Sequence, residues 1–263
     1  MRACLLFFLL LPFIARDEPV FRREIIFTSE KFQTDNLGNV FLVNQDVFTK
    51  CDAQGKVLKT FTDKKLGEIT SADVGNSQRI MLFYRGPGEV VFLDNMLSEV
   101  KRTGNLSAFG IDNPWVACLS QERGFWVFDA SRGVLFRLDP PKKQPISQSL
   151  NLFPLLGKTL NPVGILEQEN RVFLRGENGL IYTFDIFGNY LKTLPLTVPS
   201  DFQVAESRVY YGLNEPGGMG IYELKSDLND TLWFKGEGVF VLWLSKSEIY
   251  LKYPGKIRIY GVK

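Results

Sequence analysis

The chain has 263 residues, of which 45% are hydrophobic and 23% charged, a composition typical of a globular protein with a large core. Its formal net charge of +2 comes from scattered residues without a basic run, so we expect no nucleic-acid partner. The sequence contains no histidine, which excludes Ser-His-Asp and Cys-His catalysis and the usual zinc and non-haem iron ligand sets.

The N-terminus differs in character from the rest of the chain. A short positive start is followed by the almost wholly apolar residues 3–15, and then by the charged residues 16–18. A membrane-spanning helix needs about 20 apolar residues, so residues 1–15 instead favour a secretory signal peptide cleaved near Ala15. This predicts a secreted or periplasmic protein with no membrane span. An uncleaved membrane tether is the alternative, because Phe13 is bulky for a position close to the cut.

Strands rich in β-branched and aromatic residues are predicted along the remaining chain. The first, residues 23–29, has no repeat of its own. After it, a pair of strands joined by a short turn recurs about every 40 residues. The first strand of the pair is predicted at residues 40–44, 81–85, 125–129, 171–176, 209–213 and 249–253, and the second at residues 47–52, 89–94, 134–139, 180–185, 220–225 and 256–261.

Further strands flank these pairs. Short inner strands are predicted before the pair at residues 115–119, 162–166, 202–205 and 239–243. Outer strands are predicted after it at residues 56–61, 98–103, 146–150, 189–194 and 230–234. Four antiparallel strands in about 40 residues are typical of one β-propeller blade.

Six such repeats predict an all-β fold, a six-bladed β-propeller of four-stranded antiparallel blades over residues 20–263. The sixth repeat stops before an outer strand of its own. We therefore expect residues 23–29 to complete the last blade, which closes the ring and removes exposed strand edges. No stretch of useful length has the periodicity of a helix.

The repeat pattern resembles the six-bladed β-propellers of the NHL and TolB-like kind over nearly the whole chain. The blade-opening pattern of NHL repeats, Pro-x-Gly followed by an apolar residue, is present at residues 162–165, and the Trp-Asp endings of WD40 repeats are absent. Propeller enzymes similar in architecture include lyases and lactone hydrolases with a metal in the central channel. The lack of histidine excludes the histidine-dependent ones. A calcium site of Asp, Asn and backbone oxygens remains open, although no Asp-x-Asp-x-Asp-Gly loop supports it.

The aspartates that recur at the ends of the second strands have a structural interpretation. Four of the six second strands end in aspartate, an acceptor for backbone N–H groups of the following turn, at Asp52, Asp94, Asp139 and Asp185.

Cysteines 51 and 118 fall in the third strand of the first blade and the innermost strand of the third blade. We therefore expect both to be small apolar core residues without a disulfide between them.

The turns that join the first and second strands of each pair are the predicted binding face, because blade interiors are occupied by packing. Arginine and aromatic residues, which are enriched at binding interfaces, occur among the candidates there. They are Asn44, Arg85, Asp129, Arg175, Asn214 and Tyr253.

The sequence therefore predicts an exported, non-enzymatic propeller that binds an envelope or extracellular protein, with a glycan as the secondary expectation. We predict no catalytic residue, no metal ligand and no cofactor. One alternative is a hydrolase or lyase that works through carboxylates and calcium in the channel. Another is a structural subunit of a larger envelope complex, which requires a contiguous apolar patch on one ring face.

Overall fold

Six antiparallel sheets of four strands each form this protein in the computed structural model, which describes residues 19–29, 31–142, 144–213, 217–234, 242–245 and 248–261. Each sheet is one blade of a ring, so the predicted all-β, six-bladed β-propeller is confirmed. The predicted signal peptide, residues 1–15, lies outside the described residues. No helix within the described ranges is long and apolar enough to span a membrane.

Strands account for most of the described chain, in which the helical elements are a 3-10 turn at Leu106–Phe109 and the short helix α1 (Leu152–Leu156). In chain order the strands are β1 (Val20–Ile26), β2 (Lys31–Thr34), β3 (Val40–Asn44), β4 (Val47–Cys51), β5 (Val57–Thr62), β6 (Ser71–Asp73), β7 (Ile80–Tyr84), β8 (Glu89–Leu93), β9 (Glu99–Arg102), β10 (Pro114–Leu119), β11 (Phe125–Asp129), β12 (Val134–Leu138), β13 (Ser147–Gln148), β14 (Pro162–Gln168), β15 (Arg171–Gly176), β16 (Leu180–Asp185), β17 (Tyr190–Thr197), β18 (Phe202–Ala205), β19 (Arg208–Gly212), β20 (Gly218–Glu223), β21 (Asn229–Trp233), β22 (Leu242–Ser245), β23 (Glu248–Tyr253) and β24 (Lys256–Gly261).

Blades 1 to 5 are built from consecutive groups of four strands, starting with β2–β5 and ending with β18–β21, and blade 6 has the order β22-β23-β24-β1. We call the strands of each blade A to D in this order. The A strands of neighbouring blades contact one another, as β10 does with β6 and β14, so they surround the central channel. Two of these inner strands, β2 and β6, complete the predicted four-stranded blades, although no residue ranges are predicted for them.

The ring closes through β1, as predicted. This strand pairs antiparallel with β24, and Ile25 lies opposite Ile257. The Arg23 guanidinium adds two hydrogen bonds of 2.7 and 2.9 Å to the carboxylate of Glu248 on β23. A strand from the N-terminus therefore covers the edge that the last blade would otherwise expose.

The B and C strands are continuous apolar runs because a neighbouring blade packs on each of their faces. All five residues of β7 and all five of β11 are buried, whereas all four residues of the outer strand β9 are exposed. Between blades 1 and 2, for example, Phe41 and Phe48 pack in one cluster with Ile80 and Leu82. Packing between blades therefore forms a chain of apolar cores around the ring.

Three of the four recurrent aspartates have the predicted turn role. Asp52, Asp94 and Asp185 each accept hydrogen bonds from the backbone N–H groups two and four residues further on, at 2.8 to 2.9 Å. Asp139 differs, since its carboxylate forms an ion pair of 2.6 Å with Arg123. The first three therefore stabilise the turns between the C and D strands.

Asp185→Ala is expected to lower the free energy of unfolding by about 1–3 kcal/mol, because it removes three hydrogen bonds from one turn. Oδ1 accepts from the backbone N–H groups of Phe187 and Asn189, and Oδ2 accepts from the Asn189 amide at 2.8 Å. Denaturant unfolding of the variant and the unaltered chain measures the loss.

Asp185→Asn is the matched control, since its side-chain oxygen can replace Oδ1, and its loss should be the smaller one. Burial acts to raise the pKa of Asp185, but hydrogen bonds from Asn189, Phe187 and Gly188 hold it below the ordinary value. The charged form is thus favoured in the folded state, and its contribution is present above the unfolded pKa of about 3.9 and lost as the pH falls further. Equal losses for both variants would contradict the turn role.

Both described cysteines are buried and free, as predicted. Cys51 ends β4, and Cys118 lies in the inner strand β10 of blade 3. Burial raises the pKa of the Cys118 thiol well above its ordinary value, and the nearby carboxylates Asp73 and Glu167 act in the same direction. A thiol in this environment stays protonated and behaves as a small apolar side chain.

Candidate functional site

The strand registers place the turns of the ring on two opposite faces. Pro114, where β10 begins, lies opposite Asp129, where β11 ends, and Leu119 lies opposite Phe125. The turns from B to C and from D to A therefore share one face, which we call the BC face. The turns from A to B and from C to D share the other, which we call the AB face. The five described residues among the six predicted to bind a partner belong to turns of the BC face or their flanks.

Arg85 is a half-buried cation at the BC face. Its Nε donates to the backbone oxygen of Trp115 in the next blade at 3.0 Å, and its guanidinium carbon lies 4.1 Å from the centroid of the Trp115 ring. Burial lowers the pKa of Arg85. Among the described residues, no carboxylate lies within ion-pair distance of this guanidinium. The stacked pair thus presents a positive charge that no described carboxylate neutralises.

Arg175 lies inside β15 of blade 4, near its end at the BC face, and is more deeply placed, with 9% of its surface exposed. Its Nη2 lies 3.5 Å from a carboxylate oxygen of Asp201, a long contact, and its buried Nε has no hydrogen-bond partner. Burial lowers the pKa of Arg175, and Asp201 partly opposes this effect. Together with Arg85 it places two desolvated guanidinium groups on blades that flank blade 3.

The other residues predicted for the binding face differ in their exposure and in their contacts. Asn44 is exposed at the end of β3. Asp129 is fully buried and accepts hydrogen bonds from the backbone N–H groups of Asp112, Ser131 and Arg132, which gives it a structural role in its turn. The ring of Tyr253 is 4% exposed and lies 4.9 Å from the guanidinium carbon of Arg258, and burial raises the pKa of Tyr253 to about 12. Asn214 lies outside the described residues.

The AB face contains a cavity that the sequence did not predict. Its volume is about 370 Å³, and it opens at the central channel between the inner ends of blades 1 to 4. The lining is mostly polar and combines two carboxylates with one guanidinium. It comprises Asn36, Asp73, Gly75, Asn76, Ser77, Arg79, Leu119, Ser120, Gln121, Glu167 and Gln168.

Asp73 is the most perturbed carboxylate of this cavity. Burial raises its pKa, while hydrogen bonds from the backbone N–H groups of Gly75 and Leu119, each near 3 Å, and the charge of Arg79 oppose the shift. The charge of Glu167 adds to the increase. The cavity leaves the side chain partly accessible although protein surrounds it on most sides. A carboxylate in this position is poorly solvated, and no cation of the described ranges pairs with it directly.

Glu167 has a different role, because the protein already occupies both of its carboxylate oxygens. Oε1 accepts from the backbone N–H of Gln121 at 3.2 Å, and Oε2 accepts from the indole Nε1 of Trp126. Trp126 is fully buried between blades 3 and 4. The carboxylate therefore links the two blades below the cavity. Within the described part of the chain, no group of three or more His, Cys, Asp or Glu side chains is placed to hold a metal ion.

A feature of the sequence that could have indicated the cavity is the turn between β6 and β7. It follows Asp73, carries Gly75 and Arg79, and is one residue longer than the corresponding turns of blades 1 and 3 and four residues longer than those of blades 4 and 5. A longer turn with opposite charges at the inner end of one blade departs from the repeat. Departures from a repeat are the positions at which function can differ from scaffold.

The fold and these two faces define a six-bladed β-propeller, and solved propellers are similar in structure. Streptogramin B lyase is similar with a TM-score of 0.62 at 11% identity, over 94% of this chain and 97% of that chain. The Cps50 (Swd1) propeller domain of Myceliophteria thermophila has a TM-score of 0.61 at 10% identity, over 93% and 100%. BamB from Moraxella catarrhalis has 0.53 at 10%, over 88% and 84%. At such identities the likeness concerns the fold. No family model matches the chain, and no curated protein matches it.

Proposed function

We propose that this chain is an exported β-propeller that acts without catalysis as a protein-interaction module of the envelope or extracellular space. The observation that carries the proposal is the Arg85–Trp115 pair on the BC face, a cation stacked on an aromatic ring without a carboxylate partner among the described residues. Arginine and tryptophan are the residue types that dominate binding energy at protein interfaces.

The chemistry of this pair favours one class of partner. Burial disfavours the charged form of both Arg85 and Arg175, so an external carboxylate that approaches them gains a charge-assisted hydrogen bond. The expected partner is therefore an exported protein that presents an acidic segment to the BC face. A glycan is a secondary expectation, since neutral hydroxyl groups would leave the positive charge of Arg85 uncompensated.

The two alternative functions have less support. A calcium-dependent hydrolase or lyase needs six to eight oxygen ligands around the ion, whereas the cavity combines only two carboxylates with a guanidinium and Glu167 is already engaged. A structural subunit needs a contiguous apolar patch. The four most exposed large apolar side chains of the described residues lie on four different blades, at Ile26, Val100, Leu150 and Leu228.

Affinity purification of the tagged full chain from its native host tests the proposal. A partner is expected at near-stoichiometric yield in the secreted or envelope fraction, with a mature chain that has lost about the first 15 residues by intact mass. Arg85→Gln should weaken binding about tenfold or more, as expected for an interface arginine. Arg208→Gln is the control, because Arg208 is an exposed arginine of blade 5 that is already paired with Glu223 at 2.8 Å.

Two results would overturn the interaction module. One is recovery of the chain without a stoichiometric partner. The other is equal recovery of the partner by the Arg85→Gln and Arg208→Gln variants. Retention of the first 15 residues, with the chain in a membrane fraction, would instead support the tether and leave the binding face to be tested by the two variants.

A further inference from the structure

Two side chains of opposite charge, Asp73 and Arg79, line the cavity of the AB face. Each is bound by the backbone of one of two adjacent residues at the end of β10. Asp73 accepts a hydrogen bond from the backbone N–H of Leu119 at 2.9 Å, and Arg79 donates from Nη2 to the backbone oxygen of Ser120 at 2.5 Å. The two side chains form no ion pair with each other, although the charge of Arg79 opposes the increase in the pKa of Asp73. The end of β10 thus acts as a spacer between an anion and a cation.

Both charged groups have unmet bonding capacity. The Nε of Arg79 and the hydroxyl of Ser120 are buried and have no hydrogen-bond partner within the described part of the chain. An unpaired buried donor is unfavourable, and a ligand with an acceptor group would remove the penalty. Asp73 has the complementary need, since it receives two backbone hydrogen bonds but no cation binds it directly. The cavity is therefore suited to a ligand with a hydrogen-bond acceptor at one end and a cationic donor at the other.

We propose that this cavity binds a small zwitterion of the free amino acid class, with its ammonium group on Asp73 and its carboxylate on Arg79 and Ser120. Asp73 and Arg79 bind the backbone of adjacent residues, Leu119 and Ser120, and the two charged groups of an α-amino acid are attached to a single carbon, so one small ligand can reach both side chains. The volume of about 370 Å³ is within the range of small-molecule pockets. This site lies on the face opposite Arg85 and does not depend on the protein-interaction function.

The remaining lining residues fit the same class of ligand. Glu167 is engaged by Trp126 and Gln121, so Asp73 is the carboxylate left to receive the ammonium group. Asn36, Asn76 and Gln168 provide neutral amides around the opening, where a polar side chain of the ligand can bind. Cations alone are a weaker match, because the guanidinium of Arg79 repels them.

Isothermal titration of the full mature chain with individual proteinogenic amino acids tests the site. For the amino acid that binds most tightly, its carboxamide and its N-acetyl derivative remove one charge each, and both are expected to bind at least about tenfold more weakly. Calcium chloride is titrated in parallel. The site is refuted if no amino acid binds, if both derivatives bind as tightly as the parent, or if calcium alone binds.

Three variants locate the ligand in the protein. Asp73→Asn keeps a side-chain oxygen for one backbone N–H but loses the charge, and Ser120→Ala removes the orphaned hydroxyl, so both should weaken binding of the amino acid. Asp52→Asn, an equivalent change at a turn of the AB face outside the cavity, should not. Unchanged affinity in the Asp73→Asn variant would overturn the assignment. If that variant does not fold, the comparison of ligand derivatives on the unaltered chain decides the question.

Discussion

Trp126→Ala is expected to lower the free energy of unfolding by about 3–5 kcal/mol, the usual cost of deleting a large aromatic side chain from a core. The Trp126 side chain is fully buried and packs against Cys118 of its own blade and Leu174 and Tyr182 of blade 4. Its removal leaves a cavity at a blade interface that the rigid sheets cannot easily close. Guanidinium unfolding followed by intrinsic fluorescence or circular dichroism measures the loss.

Trp126→Phe separates packing from hydrogen bonding in this prediction. Phenylalanine preserves most of the apolar contact but cannot donate to Oε2 of Glu167, so one oxygen of a buried carboxylate loses its partner. The expected cost is about 1–3 kcal/mol, smaller than that of alanine. If the two variants lose equal stability, the hydrogen bond to Glu167 dominates and the packing argument is wrong.

Most of the fold follows from local sequence patterns. Buried B and C strands such as β7 and β11 are uninterrupted apolar runs bounded by turn residues, because both of their faces are covered. The position of the N-terminal strand also follows, since a ring that lacks one outer strand has a single vacant edge. The residue ranges of the inner strands β2 and β6 are not predicted, because these strands are only four and three residues long and have little apolar pattern.

The candidate binding face could be located in part. The repeat places Arg85, Asp129 and Arg175 in equivalent turns or their flanks. It does not show which of these side chains already form hydrogen bonds within the turn. Asp129 is followed two residues later by Ser131, whose N–H and hydroxyl both bind its carboxylate. That spacing is typical of an Asx turn and indicates a structural aspartate. For Arg85 the decisive contact is with Trp115 of the next blade, which no local pattern reveals.

The cavity of the AB face could not be predicted for a geometric reason. Its residues come from four blades, and the contact between Asp73 and Leu119 spans 46 residues of sequence. Which turns meet at the channel depends on the twist of the blades and on closure of the ring. The orphaned hydroxyl of Ser120 is likewise a property of the assembled structure, since a serine after a strand is ordinarily a turn residue.

Ile25→Ala is expected to cost about 2–5 kcal/mol, whereas Ile26→Ala, one residue further on, is expected to change stability by about 0.5 kcal/mol or less. Ile25 is 5% exposed and packs with Phe27, Tyr250 and Ile257 where β1 closes the ring, while Ile26 is 74% exposed. The two substitutions remove the same atoms from the same strand. Thermal or denaturant unfolding of the two variants measures the difference.

The comparison tests ring closure itself because strand propensity is changed equally in both variants. A strand that merely lay along the surface would respond similarly at both positions, and equal costs would contradict the closure by β1. The side chain of Ile25 also lies close to Gly55 of blade 1. A side-chain carbon added at Gly55 would lie 2.5 Å from Cγ2 of Ile25. The last blade is therefore fitted to the first through this side chain, and loss of that fit should open the ring where its two ends meet. Exposure of the edge of β24 would then favour association between chains, which size-exclusion chromatography of the Ile25→Ala variant should detect as oligomers absent from the Ile26→Ala variant.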